Sequence, residues 1–178
     1  MTYSYGDIVF DEFQAVDDDF MKYVSWLKNY ENMKYIMRKE YWLSMRNEEI
    51  EAYVKRQNDS ECDSFFKVVY DGQFIGTYKV GHIDWWVGTA DLGIMIGDDE
   101  FKGKGLSSKI MTCGIKYSFD ILGLRRLDGN CHLENTAMCK CFERCGFVKE
   151  GVRRKAYISG GKYCDHAEYG LLREEYDC

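Results

Sequence analysis

The chain has 178 residues, a length that suits one domain better than two, so we expect a single domain over residues 1–178. Its 46% apolar and 16% aromatic content is typical of a globular protein and excludes a disordered one. The formal net charge of -6 argues against sequence-independent binding to nucleic acid, which requires clustered Lys and Arg.

The sequence contains no feature of a membrane or secreted protein. No apolar run is long enough to span a bilayer, and the start MTYSYGDIVFDEF lacks the basic and then apolar order of a signal peptide. We therefore expect a cytoplasmic protein, in which the cysteines are buried thiols rather than disulfides. The spacing of Cys139, Cys141 and Cys145 favours core packing over a metal site, so no metal is expected.

Two helices are predicted in the first part of the chain. Aspartates at 17–19 precede apolar residues at helical spacing, which predicts a first helix of about three turns with the carboxylates at its start. Those apolar residues are Phe20, Tyr23, Val24 and Leu27. The stretch SMRNEEIEAYVKRQ predicts a second helix, with Ser44 as its N-cap.

Strands are predicted from Phe65 onward. The run FFKVVYDGQFIGTYKVGHI predicts two strands joined at Asp71-Gly72, a pair typical of hairpin turns, and TADLGIMIG predicts a third strand. A long apolar helix then begins near Leu106 and ends before Gly123.

The remaining segments complete a mixed domain. LRRLDGNCHL predicts a strand, NTAMCKCFERCGF a short helix ended by Gly146, and VRRKAYISGGKYCDHAEYGLL a hairpin turned at Gly160-Gly161. This order predicts an α/β (α+β) domain with a mixed, mostly antiparallel sheet flanked by helices.

The segment IGDDEFKGKGLSSKI places Gly103 and Gly105 beside lysines at the start of the long helix. A helix start leaves unpaired backbone N–H groups, and glycines allow an anion to approach them. The spacing excludes a P-loop, because Gly105 stands where Ser or Thr is required, and it excludes a dinucleotide fingerprint, because residue 108 is Ser. The loop is either another kind of phosphate cradle or a structural turn.

A longer pattern surrounds this loop. The run ADLGIMIGDDEFKGKGLSSKIM, followed by LGLRRLDGNCHLENTAMCKCFERCGFVKEGVRR and LLREEY, resembles the GNAT acyltransferases over about Asp91 to Tyr176. It is most similar to the branch that contains ribosomal-protein N-terminal acetyltransferases and amino-sugar or small-molecule acetyltransferases. The resemblance implies a single GNAT-like domain with splayed central strands and acetyl-CoA as co-substrate.

The resemblance also assigns residues to acetyl-CoA. The strand residues Ile94, Met95 and Ile96 are expected to pair with the pantetheine arm. Asn135 matches the family asparagine near the thioester, and an Asn before a helix is also a favoured N-cap. The pyrophosphate is expected on the backbone N–H groups of Lys102, Gly103, Lys104, Gly105, Leu106 and Ser107.

The implied reaction is attack of a neutral amine on the acetyl thioester. Because a free alkyl amine has a pKa near 10, a base must remove a proton. Many family members protonate the leaving thiolate with a tyrosine seven residues after the asparagine, but here that residue is Phe142, which cannot donate. The candidate bases, each of which could equally be an ordinary polar group, are Asp91, Glu134 and His82, with His132 and Asp84 also open.

The sequence therefore predicts an acetyl-CoA-dependent N-acetyltransferase acting on a primary amine of a small molecule such as an amino-sugar nucleotide. Asp84, Trp85 and Trp86 are expected to bind this substrate, or else the two rings cover the core. The alternatives are an N-terminal protein acetyltransferase and an acyl-CoA-binding module without catalysis. The expected partners are acetyl-CoA and the amine, with a homodimer left open and no nucleic acid or membrane.

Overall fold

A computed structural model describes residues 2–16 and 18–176. The strands are β1 Tyr3–Tyr5, β2 Ile8–Glu12, β3 Ser64–Tyr70, β4 Gln73–Asp84, β5 Thr89–Ile96, β6 Arg126–His132, β7 Val148–Ser159 and β8 Lys162–Leu172. The helices are α1 Phe20–Lys28, α2 Tyr30–Met33, α3 Lys39–Ser44, α4 Asn47–Asn58, α5 Leu106–Lys116, α6 Thr136–Arg144 and α7 Arg173–Tyr176. A 3-10 turn covers Asp99–Phe101, and a π-helical turn, Tyr117–Ile121, extends α5.

Within the described residues the strands form one eight-stranded sheet in the order β1-β2-β3-β4-β5-β6-β8-β7. Neighbouring strands are antiparallel except β5 and β6, which are parallel. The predicted α/β class with a mixed, mostly antiparallel sheet is confirmed. Across the same residues, no helix is both long and apolar enough to cross a membrane.

Both predicted hairpin turns are confirmed. Asp71 and Gly72 have φ values of 50° and 71° between the paired residues Tyr70 and Gln73. Positive φ at both central residues is the geometry of a type I′ turn, which matches the twist of antiparallel strands. Gly160 and Gly161 have φ values of 57° and 74° and turn β7 into β8 in the same way.

Helices cover both faces of the sheet because successive strand residues point to opposite sides. The larger core lies under α5 and α6 and includes Phe66 and Ile75, whereas the second core lies under α1 and α4 and includes Phe65 and Phe74. The loop before α5 is fixed against α1, since a β carbon added to Gly97 would lie 2.0 Å from the Trp26 ring.

In the N-terminal part, four elements were missed and two predicted helix caps are wrong. Strands β1 and β2 and helices α2 and α3 were not predicted. Ser44 ends α3 instead of capping α4, which begins after Arg46, whose N–H donates to Glu49 Oε2 at 2.7 Å. The Asp19 side chain makes no cap bond to α1 and instead lies 3.3 Å from Lys67 Nζ. Of the predicted capping aspartates, Asp17 lies outside the described residues.

Candidate active site

The two central strands separate and create a cleft. The register of β5 with β6 runs from Thr89 opposite Arg126 to Asp91 opposite Asp128 and then stops, although both strands continue. Among the described residues, the later part of β5 therefore pairs only with β4 and presents a free backbone edge to the gap. This is the splay of central strands that the resemblance implies.

An open cleft of about 340 Å³ fills the gap between β5 and β6. Its lining residues are Tyr35, Ile36, Met37, Trp42, Tyr53, Asp91, Leu92, Gly93, Ile94, Asn130, Cys131, Asn135, Met138, Phe142 and His166. We call this the acyl cleft. It is bounded by the segment between α2 and α3 and by α3 and α4 on one side, and by α6 on the other.

A second groove, of about 300 Å³, continues the acyl cleft toward the glycine loop and shares Ile94, Asn135 and Met138 with it. Its remaining lining residues are Ile96, Lys102, Gly103, Ser107 and Ala137. We call it the loop groove. The two together form an elongated channel that ends at the start of α5.

The glycine loop has the conformation of an anion cradle. Gly103 and Gly105 have φ values of 72° and 76°, and nothing lies within 4 Å of a β carbon added to either residue. Gly105 is the N-cap of α5, an eleven-residue helix whose first N–H groups and dipole favour an anion. Open space and free donors at this end of the channel fit the pyrophosphate of a CoA ester.

The loop lysines are less available than the sequence suggested. Lys102 Nζ donates to Asn32 Oδ1 and, at 2.5 Å, to Asp99 Oδ1. Lys104 lies over the Phe101 ring at 5.3 Å. The backbone donors of the loop therefore carry most of the site, with lysine charge as a secondary contribution.

The predicted cofactor residues divide into three groups, one of which, Lys104 and Gly105, is exposed at the loop and lines neither the acyl cleft nor the loop groove. Ile94, Ile96 and Asn135 line the channel, as do three residues of the loop region, Lys102, Gly103 and Ser107. Met95 instead packs against the second core, and Leu106 is buried in the larger core, so these two can contribute only backbone atoms.

Asn135 caps α6 while it faces the channel. Its Oδ1 accepts the N–H of Met138 at 3.2 Å. The side-chain amide is then fixed at the junction of the acyl cleft and the loop groove, with its N–H₂ donors left for a ligand.

Asp91 and His82 lie together at the cleft. Asp91 lines it, and its Oδ1 is 2.6 Å from His82 Nδ1. A β-bulge between Gly81 and Asp84 and a φ of 49° at His82 turn the imidazole onto this carboxylate. The His82 side chain is 81% exposed, so the pair links the cleft to bulk solvent.

His166 is a cleft residue that the sequence analysis did not select. It is 3% exposed, its Nδ1 has no hydrogen-bond partner, and its ring lies 5.9 Å from that of His132, which faces it across β6 and β8. Burial, and then the charges of His132 and Arg153, lower the pKa of His166 to about 4. The imidazole is therefore neutral at pH 7. Its place opposite His132 depends on the pairing of β6 with β8, which no local pattern in the sequence indicates.

The other predicted acid–base candidates lie off the acyl cleft. Glu134 is exposed, and its N–H donates to His132 Nδ1 at 3.2 Å. His132 is buried beside Tyr35, with ring centroids 5.5 Å apart. Neither belongs to the lining of the channel.

The predicted substrate residues do not line the channel either. Asp84 Oδ1 accepts the N–H groups of Trp86 and Val87 and so stabilises the turn between β4 and β5. Trp85 donates its ring N–H to the Glu61 carbonyl, and Trp86 is 97% exposed. The proximity of these residues to β5 in sequence did not place them at the cleft, because they lie at the opposite end of that strand from the loop.

Phe142 occupies the position where many relatives carry a tyrosine. It is 1% exposed, stacks on Tyr169 at 5.0 Å and lies so close to Gly129 that a β carbon there would be 2.3 Å from its Cε1. The cleft therefore has an apolar ring where the usual proton donor would be.

Splayed parallel strands, a free strand edge and an anion cradle at a helix start define a CoA-dependent acyltransferase. Residues 10–148 match the family model described as "Acetyltransferase (GNAT) domain". The chain belongs to the GNAT family and is an acetyl-CoA-dependent N-acetyltransferase.

Individual relatives agree with this assignment. Spermidine N(1)-acetyltransferase of Vibrio cholerae is 30% identical over 156 residues, which cover 84% of this chain and 87% of the relative. The enzyme of that name from Escherichia coli K12 is 25% identical over 162 residues, covering 88% and 82%. The crystal structure of the Vibrio cholerae spermidine N-acetyltransferase with CoA and spermine matches with a TM-score of 0.88 at 22% identity, over 97% of this chain and 99% of that one. At that identity the structural match shows the fold alone.

Proposed function

We propose that the acetyl acceptor is a primary amine of an aliphatic polyamine. The observation that carries this proposal is the composition of the acyl cleft. Asp91 contributes the one carboxylate among the described lining residues, and neither Lys nor Arg is among them. The names of the Vibrio and Escherichia relatives, both spermidine acetyltransferases, support the same substrate class.

The aromatic wall of the cleft suits a cationic chain. Tyr35, Trp42 and Tyr53 line it, and the rings of Trp42 and Tyr53 meet edge to face at 4.9 Å. Ammonium groups are attracted to aromatic faces, and the methylenes between them pack on the same rings. A polyamine therefore finds both kinds of contact here.

An amino-sugar nucleotide, which the sequence favoured, has less support. Its diphosphate needs cationic or N–H donors beyond those that hold acetyl-CoA, and the acyl cleft has no basic lining residue other than the neutral His166. An N-terminal peptide remains the alternative acceptor. The family assignment favours an active enzyme over a silent acyl-CoA-binding module.

We assign proton removal to Asp91 and His82. An amine entering the cleft is charged at pH 7, since its ordinary pKa is near 10. Asp91 accepts its hydrogen bond, and the 2.6 Å contact with the exposed His82 provides a route for the proton to solvent.

The remaining roles belong to hydrogen-bond donors. Bound acetyl-CoA supplies the activated acetyl group. N–H groups of the free β5 edge beside Leu92 and Ile94 orient the carbonyl and stabilise negative charge on its oxygen. The Asn135 amide positions the pantetheine arm, and the neutral His166 imidazole is a donor available to the leaving sulfur.

The test is an assay of CoA release with four acceptors: spermidine, spermine, a nucleotide-linked amino sugar and an N-terminal peptide. We expect kcat/KM for the polyamines to exceed that for the other acceptors at least 100-fold. Trp42→Ala should raise the KM for spermidine about 5- to 30-fold, the loss of one desolvated cation–π contact. The matched control Trp86→Ala, at an exposed ring outside the channel, should change nothing.

Two outcomes would reject the proposal. One is faster turnover of the amino sugar or peptide than of either polyamine. The other is a larger effect of Trp86→Ala than of Trp42→Ala on the KM, which would place the substrate at the β4–β5 turn.

A further inference from the structure

A further cavity, of about 180 Å³ and separate from the loop groove, lies on the α1 side of the sheet. Its walls include Leu27 of α1, Met33 of α2, Phe65 of β3 and Met95 of β5. We call it the side cavity. None of the roles assigned above uses it.

The side cavity opens into the acyl cleft beside Gly93. Both spaces are lined by Gly93 and Ile94 of β5, Ile36 of the segment between α2 and α3, Trp42 of α3 and Tyr53 of α4. A β carbon added to Gly93 would meet only Lys79 Cβ, at 3.8 Å, and the residue does not have a positive φ. The backbone therefore does not require glycine here, and an added side chain would have room where the two spaces share their walls.

The chemistry of the side cavity suits a hydrocarbon rather than an amine. Among the described residues no carboxylate lines it, and the charged residue of its lining is Lys79, whose Nζ is 2.7 Å from Asp63 Oδ1. An ammonium group placed there would lose its water and meet the Lys79 cation, and the side-chain oxygen acceptors in the described lining are the neutral hydroxyl groups of Tyr23, Tyr53 and Thr77. Methylene groups would lose nothing and would bury apolar surface.

We propose that the side cavity is an acyl-chain subsite, entered past Gly93, and that the enzyme transfers acyl groups longer than acetyl. The thioester carbonyl stays at the free edge of β5, and the additional methylenes extend past Gly93 toward Thr77 and Leu27. The chemical step is unchanged: an amide bond forms, the thioester C–S bond breaks, and the amine proton leaves by the same route. This proposal rests on the family reaction and not on the identity of the amine.

Binding measurements test the proposal without any acceptor. Each methylene buried in an apolar cavity is worth about fourfold in affinity. Titration calorimetry with acetyl-, propionyl- and butyryl-CoA should therefore give dissociation constants that fall severalfold along the series. Equal or weaker binding of butyryl-CoA relative to acetyl-CoA would overturn the proposal.

Substitutions in the side cavity test whether the acyl chain binds there. Thr77 lines the side cavity but not the acyl cleft. Thr77→Ile fills the cavity and should lower the butyryl-to-acetyl ratio of both affinity and kcat/KM about tenfold, whereas the volume-matched control Thr77→Val should preserve the ratio. Gly93→Val, at the entrance, should lower it further.

Amine acceptors of different length show whether the side cavity holds the amine instead of the acyl chain. If Thr77→Ile leaves the acyl-chain ratio unchanged but raises KM for long amines in the presence of acetyl-CoA, the cavity holds the amine and the proposal is wrong. Because the calorimetric series contains no amine, a wrong choice of polyamine as acceptor leaves the prediction for the acyl chain intact.

Discussion

Alanine in place of Gly103 should weaken acetyl-CoA binding far more than it weakens the fold. The glycine has a φ of 72°, and an added β carbon would enter open space at the end of the loop groove, where the pyrophosphate is expected. Loss of one backbone N–H bond to a phosphate is worth about 1.5–3 kcal/mol. This corresponds to a dissociation constant roughly 10- to 150-fold higher.

The same substitution also strains the backbone, and the structure provides a control for that strain. Left-handed backbone at a non-glycine residue costs about 1–2 kcal/mol, or about 2–8 °C in Tm for a chain of this size. Gly161 has a φ of 74°, has nothing within 4 Å of its added β carbon and lies at the β7–β8 turn outside the channel. Gly161→Ala should therefore lose as much stability as Gly103→Ala but keep its affinity for acetyl-CoA.

Calorimetric titration of both variants with acetyl-CoA, together with thermal melts, decides the point. If Gly103→Ala binds acetyl-CoA as tightly as Gly161→Ala, the loop is a structural turn and the cradle assignment is refuted. A loss of affinity in Gly103→Ala alone, at equal Tm, separates ligand contact from backbone strain.

The segments that were predicted correctly are determined by residues within the segments themselves. The Asp71-Gly72 and Gly160-Gly161 turns need two consecutive positive φ values, which few residue pairs adopt, so they were identifiable locally. The wide apolar stripe of α5 and the glycine stop after it were equally local. These features do not depend on any distant contact.

The segments that were missed depend on distant contacts. Strand β1 has three residues and β2 has five, and β2 is held by pairing such as Val9 opposite Val69, sixty residues later. No local pattern specifies such a strand. Helix α2 has four residues and α3 six, too short for a periodic signal.

The candidate site shows the same division. The loop was selected from its glycines at a helix start, and Asn135 and Asp91 were selected from the family resemblance, because the loop and the strand before it are contiguous in sequence. His166 was missed because its role depends on the face of β8 that meets the cleft and on pairing with His132. Trp85 and Trp86 were selected for their ring chemistry, but the turn that they form directs them away from the channel.

Four further substitutions test residues in and next to the acyl cleft. Asp91→Asn should lower kcat by about 10²–10⁴-fold and leave the affinity for acetyl-CoA unchanged. His82→Ala should lower kcat less and shift the pH–rate profile. Equal rates for the parent and Asp91→Asn would reject the proton route. The pKa of His166 is about 4 in the folded chain and 6.5 in the unfolded one. Between these values only the unfolded chain binds the proton, so the free energy of unfolding is unaffected above pH 6.5 and decreases as the pH falls toward 4, by up to about 3 kcal/mol. His166→Gln should flatten this decrease in urea unfolding at pH 7 and pH 5, and an unchanged slope would contradict the assignment. Gly129→Ala should cost about 1–3 kcal/mol and lower kcat, since the new β carbon would lie 2.3 Å from Phe142 Cε1; a melt like that of the parent would show that the ring has room to move.

The absence of the usual tyrosine is consistent with the energetics of the two proton transfers. At pH 7 an alkyl ammonium with a pKa near 10.4 lies about 3.4 units below its pKa, so forming the free amine costs about 4.6 kcal/mol at about 1.36 kcal/mol per unit. A thiol with a pKa near 8.5 lies about 1.5 units below its pKa, so expelling the thiolate without a proton costs about 2 kcal/mol, and removing the amine proton is the more expensive step by about 2.6 kcal/mol. In the proposed mechanism the carboxylate of Asp91 and the solvent-linked imidazole of His82 serve the expensive step. For the cheaper one it has Phe142 in the core and the neutral His166 beside the channel, so loss of the base should cost the enzyme more than loss of any acid.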